Sequence, residues 1–307
     1  MMSTRLPQTL RLFFRLSRPL FLIGGGLTYA LGAGIARFLG TPIDWGVYLL
    51  GQGFVTILQL SAHYLNEYFD APSDANNPAR TPFTGGSGAI GAGKLSRNIV
   101  LLAAITALTI LASLMVLMIE YAPTSPLLLL VVALGFLGAF FYSTPPVKLS
   151  SSGYGELTTS ILVAYLVPAF AFILQAGDLH RLVAMAAIPL TSLHMAMMLS
   201  FELPDYASDV KHNKLTLLVR LGWERGMSLH NILILFAFLI LGLAAVFGLP
   251  LAIVLPAYLP LPLGLLQIWQ MRRIAAGVKP NWTTLTMTAL VLFASEVYLL
   301  AFAFWTR

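Results

Sequence analysis

The chain contains no cysteine, which removes disulfides, thiolate metal sites and cysteine nucleophiles from consideration. Charge is scarce as well: 10% of the 307 residues are Asp, Glu, Lys or Arg, against about 25% in an ordinary soluble domain. Aspartate is rarer still, with six in the whole chain. Apolar residues take the place of charge. They make up 58% of the chain and recur in runs longer than the roughly 18 residues that mark a membrane-crossing helix. One water-soluble core cannot bury that much apolar surface, so the sequence reads as a polytopic membrane protein.

Backbone amides in lipid must bond internally, and no segment alternates with the period of a barrel strand, so the expected fold class is all-α. Polar or Pro/Gly interruptions divide the chain into nine candidate spans, near 19-39, 46-66, 99-119, 126-144, 157-176, 183-202, 229-248, 250-270 and 283-305. The division at Leu249 and Pro250 rests on a short Gly-Leu-Pro turn. Gly24, Gly25, Gly26, Gly32 and Gly34 would let the first span pack closely on its neighbours. Arg5, Arg11, Arg15 and Arg18 ahead of an apolar run have the outline of a secretion signal, but that run exceeds a signal core and reads as a retained first helix.

Of the 18 Lys and Arg residues, only Arg37, Arg181 and Arg307 fall outside the N-terminal segment and the loops after spans 2, 4, 6 and 8. Positive charge is retained on the inner face, so the N-terminus and the long loops 67-98 and 203-228 are expected on the cytoplasmic side of a plasma membrane. The net charge of +6 is thereby absorbed as a topology signal, and scattered loop cations give no reason to expect a nucleic-acid partner. No soluble domain or extended linker interrupts the spans. Residues 1-307 read as a single domain with no obligate protein partner.

Four of the six aspartates form two i, i+4 pairs at span ends, Asp70 with Asp74 and Asp205 with Asp209. Glu67 to Asp74 and Glu202 to Asp209 share four identities in eight positions, either a short internal repeat or coincidence. Residues four apart share a helix face, so each pair can aim two carboxylates at one point. Pro72 is expected to end or bend the second span and leave Asp74 on loop or kinked backbone. Pro204 suits the opening of a short helix carrying Asp205 to Asp209. Neighbouring carboxylates repel unless a cation neutralises them. Mg²⁺ prefers carboxylate and phosphate oxygens, and Asn66 adds a neutral one. Taken singly, any of these aspartates also suits a solvated loop or a pair with a nearby lysine.

Arg18, Arg80, Lys94, Lys148, Lys211, Lys214 and Arg220 lie near the acidic segments, as topology signals or as partners for an anion, with Lys148, Lys211 and Lys214 the foremost candidates for the second role. Tyr64, Tyr68, Phe69, Tyr142 and Tyr206 read either as walls that shield a carbocation or as packing residues. Glu296, His63 and His194 fall inside spans. A protonated structural glutamate and interhelical imidazole bonds are the expected roles, with a catalytic or acceptor-binding role the alternative for Glu296.

At these positions the chain resembles the UbiA superfamily of intramembrane prenyltransferases, through nearly its whole length. Asn66-Glu-Tyr-Phe-Asp70-Ala-Pro-Ser-Asp74 is similar to that family's Asn-x3-Asp-x3-Asp. Asp205-Tyr-Ala-Ser-Asp209, with Lys211-His-Asn-Lys214-Leu-Thr216-Leu-Leu-Val-Arg220-Leu-Gly222 after it, is similar to its second motif and tail. The resemblance implies about nine helices around a central lipid-open cavity. It also implies transfer of a prenyl group from a polyprenyl diphosphate to a lipophilic or aromatic acceptor, with Mg²⁺ held by Asn66, Asp70, Asp74, Asp205 and Asp209. The four aspartates are the expected catalytic residues, one of them a possible base, and the substrates are expected to meet Asn66, Arg18, Lys148, Lys211, Lys214, Tyr142, Tyr68 and Tyr206. Thr81 to Gly88, Tyr142-Ser-Thr-Pro-Pro and Gly153-Tyr-Gly155-Glu156 look most like the 1,4-dihydroxy-2-naphthoate branch, which serves menaquinone synthesis. A geranylgeranylglyceryl phosphate, haem or chlorophyllide precursor is the alternative acceptor. The rival of another class is a secondary transporter, which would hold its ionisable residues near the membrane midplane, where only Glu296 clearly lies.

Overall fold

The computed structural model describes residues 5–74 and 80–307, and among these the chain is built of helices. Residues 75–79 of the expected loop 67-98 lie outside the described part. The N-terminal basic stretch forms its own amphipathic helix, α1 (Arg5–Leu16), with Leu12 and Leu16 inward and Leu10 and Phe14 outward. After it come α2 (Pro19–Phe38), α3 (Trp45–Asp74), α4 (Arg97–Tyr121) and α5 (Pro126–Ser143). A short 3₁₀ turn, Leu149–Ser151, leads to α6 (Gly155–Ile161), which a π-helical turn, Leu162–Leu166, joins to α7 (Val167–Ala176). Then follow α8 (Arg181–Glu202), two short helices α9 (Tyr206–Lys211) and α10 (Leu217–Leu221), and α11 (Trp223–Val246). The chain ends in α12 (Leu251–Ala257), α13 (Leu261–Ala275) and α14 (Trp282–Trp305).

Among the described residues, eight helical stretches are long and apolar enough to cross a membrane: α2, α4, α5, α6 through α7, α8, α11, α12 through α13, and α14. The ninth expected span, 46-66, falls on α3, which at 30 residues is about 45 Å long but is not among the eight. Its length suffices, whereas Gln52, Gln59, His63 and Asn66 lower its hydropathy. Leu102, Ile105, Val116 and Ile119 of α4 and Ile232, Leu235 and Leu239 of α11 are exposed, as expected of surfaces facing lipid chains. The chain is an integral membrane protein.

Two apolar clusters hold the helices together. Leu31, Ile35, Leu190, Leu193, Ile234, Leu241, Val297 and Leu300 pack α2, α8, α11 and α14, while Val55, Leu111, Leu128 and Phe170 pack α3, α4, α5 and α7. Lipid is as apolar as these side chains, so close dispersion contact, rather than escape from water, supports the packing. Gly32 shows how close the helices come: a Cβ there would collide with the Pro168 carbonyl oxygen of α7.

Two prolines correct or refine the sequence reading. Pro72 does not end its helix, since α3 continues to Asp74 and keeps the motif in helical register. A proline has no N–H for the carbonyl four residues earlier, and Arg97 supplies the missing donor, its Nε reaching the Tyr68 carbonyl at 2.8 Å. The span expected near 250-270 is divided by the turn before Leu261, where Pro260 caps α13, while the boundary expected at Leu249 and Pro250 is observed. Gly32→Ala is expected to lower stability by about 1–3 kcal/mol through overpacking. The Tm in detergent reads this, with Gly24→Ala as control, because a Cβ at Gly24 meets nothing.

Candidate active site

Successive turns at one end of α3 place Asn66, Asp70 and Asp74 along one wall of a cavity of about 270 Å³. The i, i+4 spacing that makes them neighbours also binds them together. Asn66 Nδ2 donates to Asp70 Oδ2 at 3.0 Å and to Ser143 Oγ of α5 at 3.1 Å, which leaves its carbonyl oxygen available to a ligand. Asp205 and Asp209 reach the same cavity from the opposite segment. There α8 ends at Glu202, Pro204 lies in the turn, Asp205 precedes α9, and Asp209 is buried on it. This is the short helix expected after Pro204.

Beyond α9 the backbone turns at Asn213, in a left-handed conformation that asparagine tolerates, and Lys214 enters the cavity. Its Nζ lies 3.2 Å from Asp70 Oδ2, so a cation that follows the second motif pairs with the first. Lys148 Nζ approaches the other oxygen of Asp70 at 3.8 Å. Glu156 braces this turn by accepting the Leu217 N–H at 2.8 Å.

A second ion pair frames the site. Arg18 Nη2 lies 2.5 Å from Glu67 Oε1, and Glu67 also accepts the Ser87 N–H at 2.6 Å and the Ser87 hydroxyl at 2.8 Å. That contact draws in the glycine-rich turn, where a Cβ on Gly86 would meet the Asp74 side chain. Arg18 and Lys148 both sit on left-handed backbone, φ 48° and 45°, which non-glycine residues adopt rarely and at a cost of roughly 1–3 kcal/mol. Both strained positions aim a cation at the acidic cluster.

Electrostatics follow from the crowding. Burial pushes the Asp209 carboxyl up to about 7, with Asp205, Asp70 and Asp74 adding to the rise and Lys214 opposing it. Burial works against the Lys214 ammonium, but Asp70 and Asp209 outweigh it and hold its pKa above the usual value. Among the described residues no three Asp, Glu or His side chains stand close enough to hold a metal by themselves. The donor set is nevertheless suited to Mg²⁺, which takes one or two carboxylates and completes its shell with water and phosphate oxygens.

Of the residues expected here, Asn66, Asp70, Asp74, Asp205, Asp209, Arg18, Tyr142 and Lys214 line the cavity, and Lys148 reaches it through Asp70. Tyr68, Tyr206 and Lys211 are not among its lining. The Tyr68 ring lies 4.3 Å from the Arg97 guanidinium, Tyr206 packs on Trp223, and Lys211 is exposed. Arg80 bonds the carbonyls of Gly85 and of Asp74 at the end of α3, and Lys94 bonds that of Gly88. His194 bonds Ser160 across helices, as expected, and buried Glu296 does not line the cavity. The cavity also includes Gln59, Ser150 and Thr159, which the sequence reading did not single out, and Phe83 and Thr84 from the Thr81 to Gly88 segment. Gln59 carried a usable signal, a polar side chain two helical turns before Asn66 in an apolar span.

A carboxyl whose folded pKa exceeds its unfolded value holds its proton more tightly when folded, so stability is lost as pH rises from about 4 to about 7. The Tm of the metal-free protein is therefore expected to fall over that window, less steeply in Asp209→Asn.

A model of the UbiA prenyltransferase family matches residues 26–292. No curated protein matches the chain in sequence. Three solved structures share the architecture. Digeranylgeranylglyceryl phosphate synthase has 15% identity and a TM-score of 0.63, over 97% of this chain and 99% of that one. A UbiA homologue from Archaeoglobus fulgidus, bound to GPP and Mg²⁺, has 15% identity and a TM-score of 0.61, over 94% and 99%. A UbiA homologue from Aeropyrum pernix K1 in its apo form has 14% identity and a TM-score of 0.62, over 91% and 96%.

Proposed function

The chain belongs to the UbiA prenyltransferase family, and on that premise we propose that it transfers the prenyl group of a polyprenyl diphosphate to an aromatic acceptor, with Mg²⁺ at its two aspartate motifs. One observation carries the reading. Asn66, Asp70, Asp74, Asp205, Asp209 and Lys214 gather at a cavity whose other walls, from Phe54 and Val55 to Leu166 and Phe170, are apolar. A diphosphate with a hydrocarbon tail divides in the same way. The Archaeoglobus fulgidus homologue bound to GPP and Mg²⁺ supports the same pairing of ligands.

Mg²⁺, when bound, supplies charge neutralisation to the departing diphosphate. The aspartates and the Asn66 carbonyl would hold the ion, and through it the diphosphate, at one end of the cavity. Lys214 and Lys148 stand ready to bond phosphate oxygens, and fixed donors of this kind act most strongly where negative charge develops. Phe21, Phe83, Tyr142 and Phe201 line the cavity, where they exclude water and offer ring faces to an allylic cation. The ring carbon of the acceptor attacks that cation, and aromaticity returns by loss of a proton or, where 1,4-dihydroxy-2-naphthoate is attacked at the carbon bearing its carboxylate, by loss of CO₂. 1,4-Dihydroxy-2-naphthoate is the proposed acceptor, supported by the Thr81 to Gly88 segment, which contributes Thr84, Gly85 and Gly86 to the cavity, and by Tyr142. The distribution of Lys and Arg supports a site on the cytoplasmic face of a plasma membrane.

The test uses purified protein in detergent with Mg²⁺, a radiolabelled polyprenyl diphosphate and a panel of 1,4-dihydroxy-2-naphthoate, 4-hydroxybenzoate and geranylgeranylglyceryl phosphate. Prenylated naphthoquinol should form, chelation should abolish it, and Asp70→Ala and Asp205→Ala should each cost on the order of 10²–10³ in turnover. Transfer to the glyceryl phosphate alone would replace the aromatic acceptor. Donor binding indifferent to Mg²⁺ and to both aspartates would remove the two-motif mechanism.

A further inference from the structure

One stripe of α3 carries Gln52, Thr56, Gln59, His63, Asn66 and Asp70 in order toward the acidic cluster. Most of its polar groups are already bonded. Gln52 Nε2 donates to the Thr56 hydroxyl at 3.2 Å, Thr56 donates to the Gln52 carbonyl at 2.9 Å, and Asn66 is tied to Asp70 and Ser143. Two positions differ.

The buried Oε1 of Gln59 has no hydrogen-bond partner among the described residues. The amide lies where Gly25 of α2 leaves room, since a Cβ at Gly25 would collide with it. His63 is committed at one nitrogen: its Nδ1 lies 3.2 Å from the Ser17 carbonyl. A carbonyl can only accept, so the proton belongs on Nδ1 and Nε2 presents a lone pair. The ring is held from the side by Phe21, edge to face at 6.2 Å.

Gln59 and His63 both line the cavity, one turn and about 6 Å apart along α3, with Gln59 about 10 Å before Asn66. They stand between the aspartates and the apolar end at Phe54, Val55 and Phe170. A hydrocarbon tail offers these atoms no hydrogen, and the diphosphate is matched to the motifs. Gln59 Oε1 is itself closed off against Gly25, so Nε2 is the amide atom open to a cavity ligand, beside the Nε2 lone pair of His63.

We infer that Gln59 and His63 form the acceptor subsite and select an acceptor by its hydroxyl groups. His63 Nε2 accepts from one O–H, and the Gln59 amide bonds a second polar group on the same molecule. The inference rests on the prenyl-transfer reading and adds to it the chemistry by which the second substrate is recognised.

The experiment compares binding of 1,4-dihydroxynaphthalene and 1,4-dimethoxynaphthalene to intact protein loaded with Mg²⁺ and geranyl diphosphate. Donor affinity is measured in parallel. The intact protein should favour the dihydroxy probe by about 10-fold or more, the scale of one hydrogen bond. Gln59→Met and His63→Phe keep volume and remove the polar atoms. Each should erase most of that preference while donor affinity stays within about twofold, and His63→Gln, which retains an acceptor oxygen, should recover part of it. A preference that is absent from the intact protein, or that survives both variants, overturns the inference. Equal losses of donor and probe affinity would overturn it too, by assigning these residues to the prenyl tail. Failure of the intact protein to bind the donor with Mg²⁺ would instead overturn the prenyl-transfer reading beneath it.

Discussion

Carboxylates crowded beside an apolar space repel one another, and here four aspartates from two distant segments meet at one cavity. Lys214 answers the repulsion most directly. It follows the second motif in sequence and pairs with Asp70 of the first, so one ion pair closes the gap between α3 and the turn after α8. Lys148 and the Arg18–Glu67 pair surround the same charge from α5's end and from the turn between α1 and α2. The arrangement is held open toward a further cation and an anion, because the cluster's acidity exceeds what its own lysines balance.

The membrane helices can be understood as the support for that cluster. Polar residues in a span are costly unless they face the protein interior, and α3 meets the condition by turning its amides, imidazole and carboxylates onto the cavity. Glycines on α2 bring its backbone close enough to α3 and α7 for the wall to be continuous. At the far end of α3, Arg97 replaces the hydrogen bond that Pro72 removes, so the acidic face remains helical up to Asp74.

Much of this was legible before any coordinates. Length and hydropathy locate the spans because a membrane imposes one simple requirement on every crossing helix, and the i, i+4 aspartates declare their shared face. What sequence could not supply was tertiary compensation. Pro72 reads as a helix end or bend when Arg97, distant in sequence, is not known to stand beside it. Tyr68, Tyr206 and Lys211 sit among the motif residues but lie outside the cavity, because adjacent residues on a helix point about 100° apart. Gln59 escaped notice for the opposite reason: it lies outside the motif, two helical turns before Asn66, yet on its face in space.

The π-helical turn at Leu162–Leu166 interrupts the helix that begins with Glu156 in its first turn and runs past Phe170 to Ala176. Leu162, Val163, Leu166 and Val167 all belong to the cavity wall, a broad surface that the widened turn presents to one side. Such a turn holds one residue more than an α-helical path of the same span. A bulge of that kind leaves α6 and α7 in register, so Glu156 keeps its bond to Leu217 while the wall gains the breadth of one more side chain. Chain length in these five residues thus sets the width of the hydrocarbon wall separately from the part of the helix that braces the acidic turn, and a single deletion there would narrow the wall with both aspartate motifs untouched.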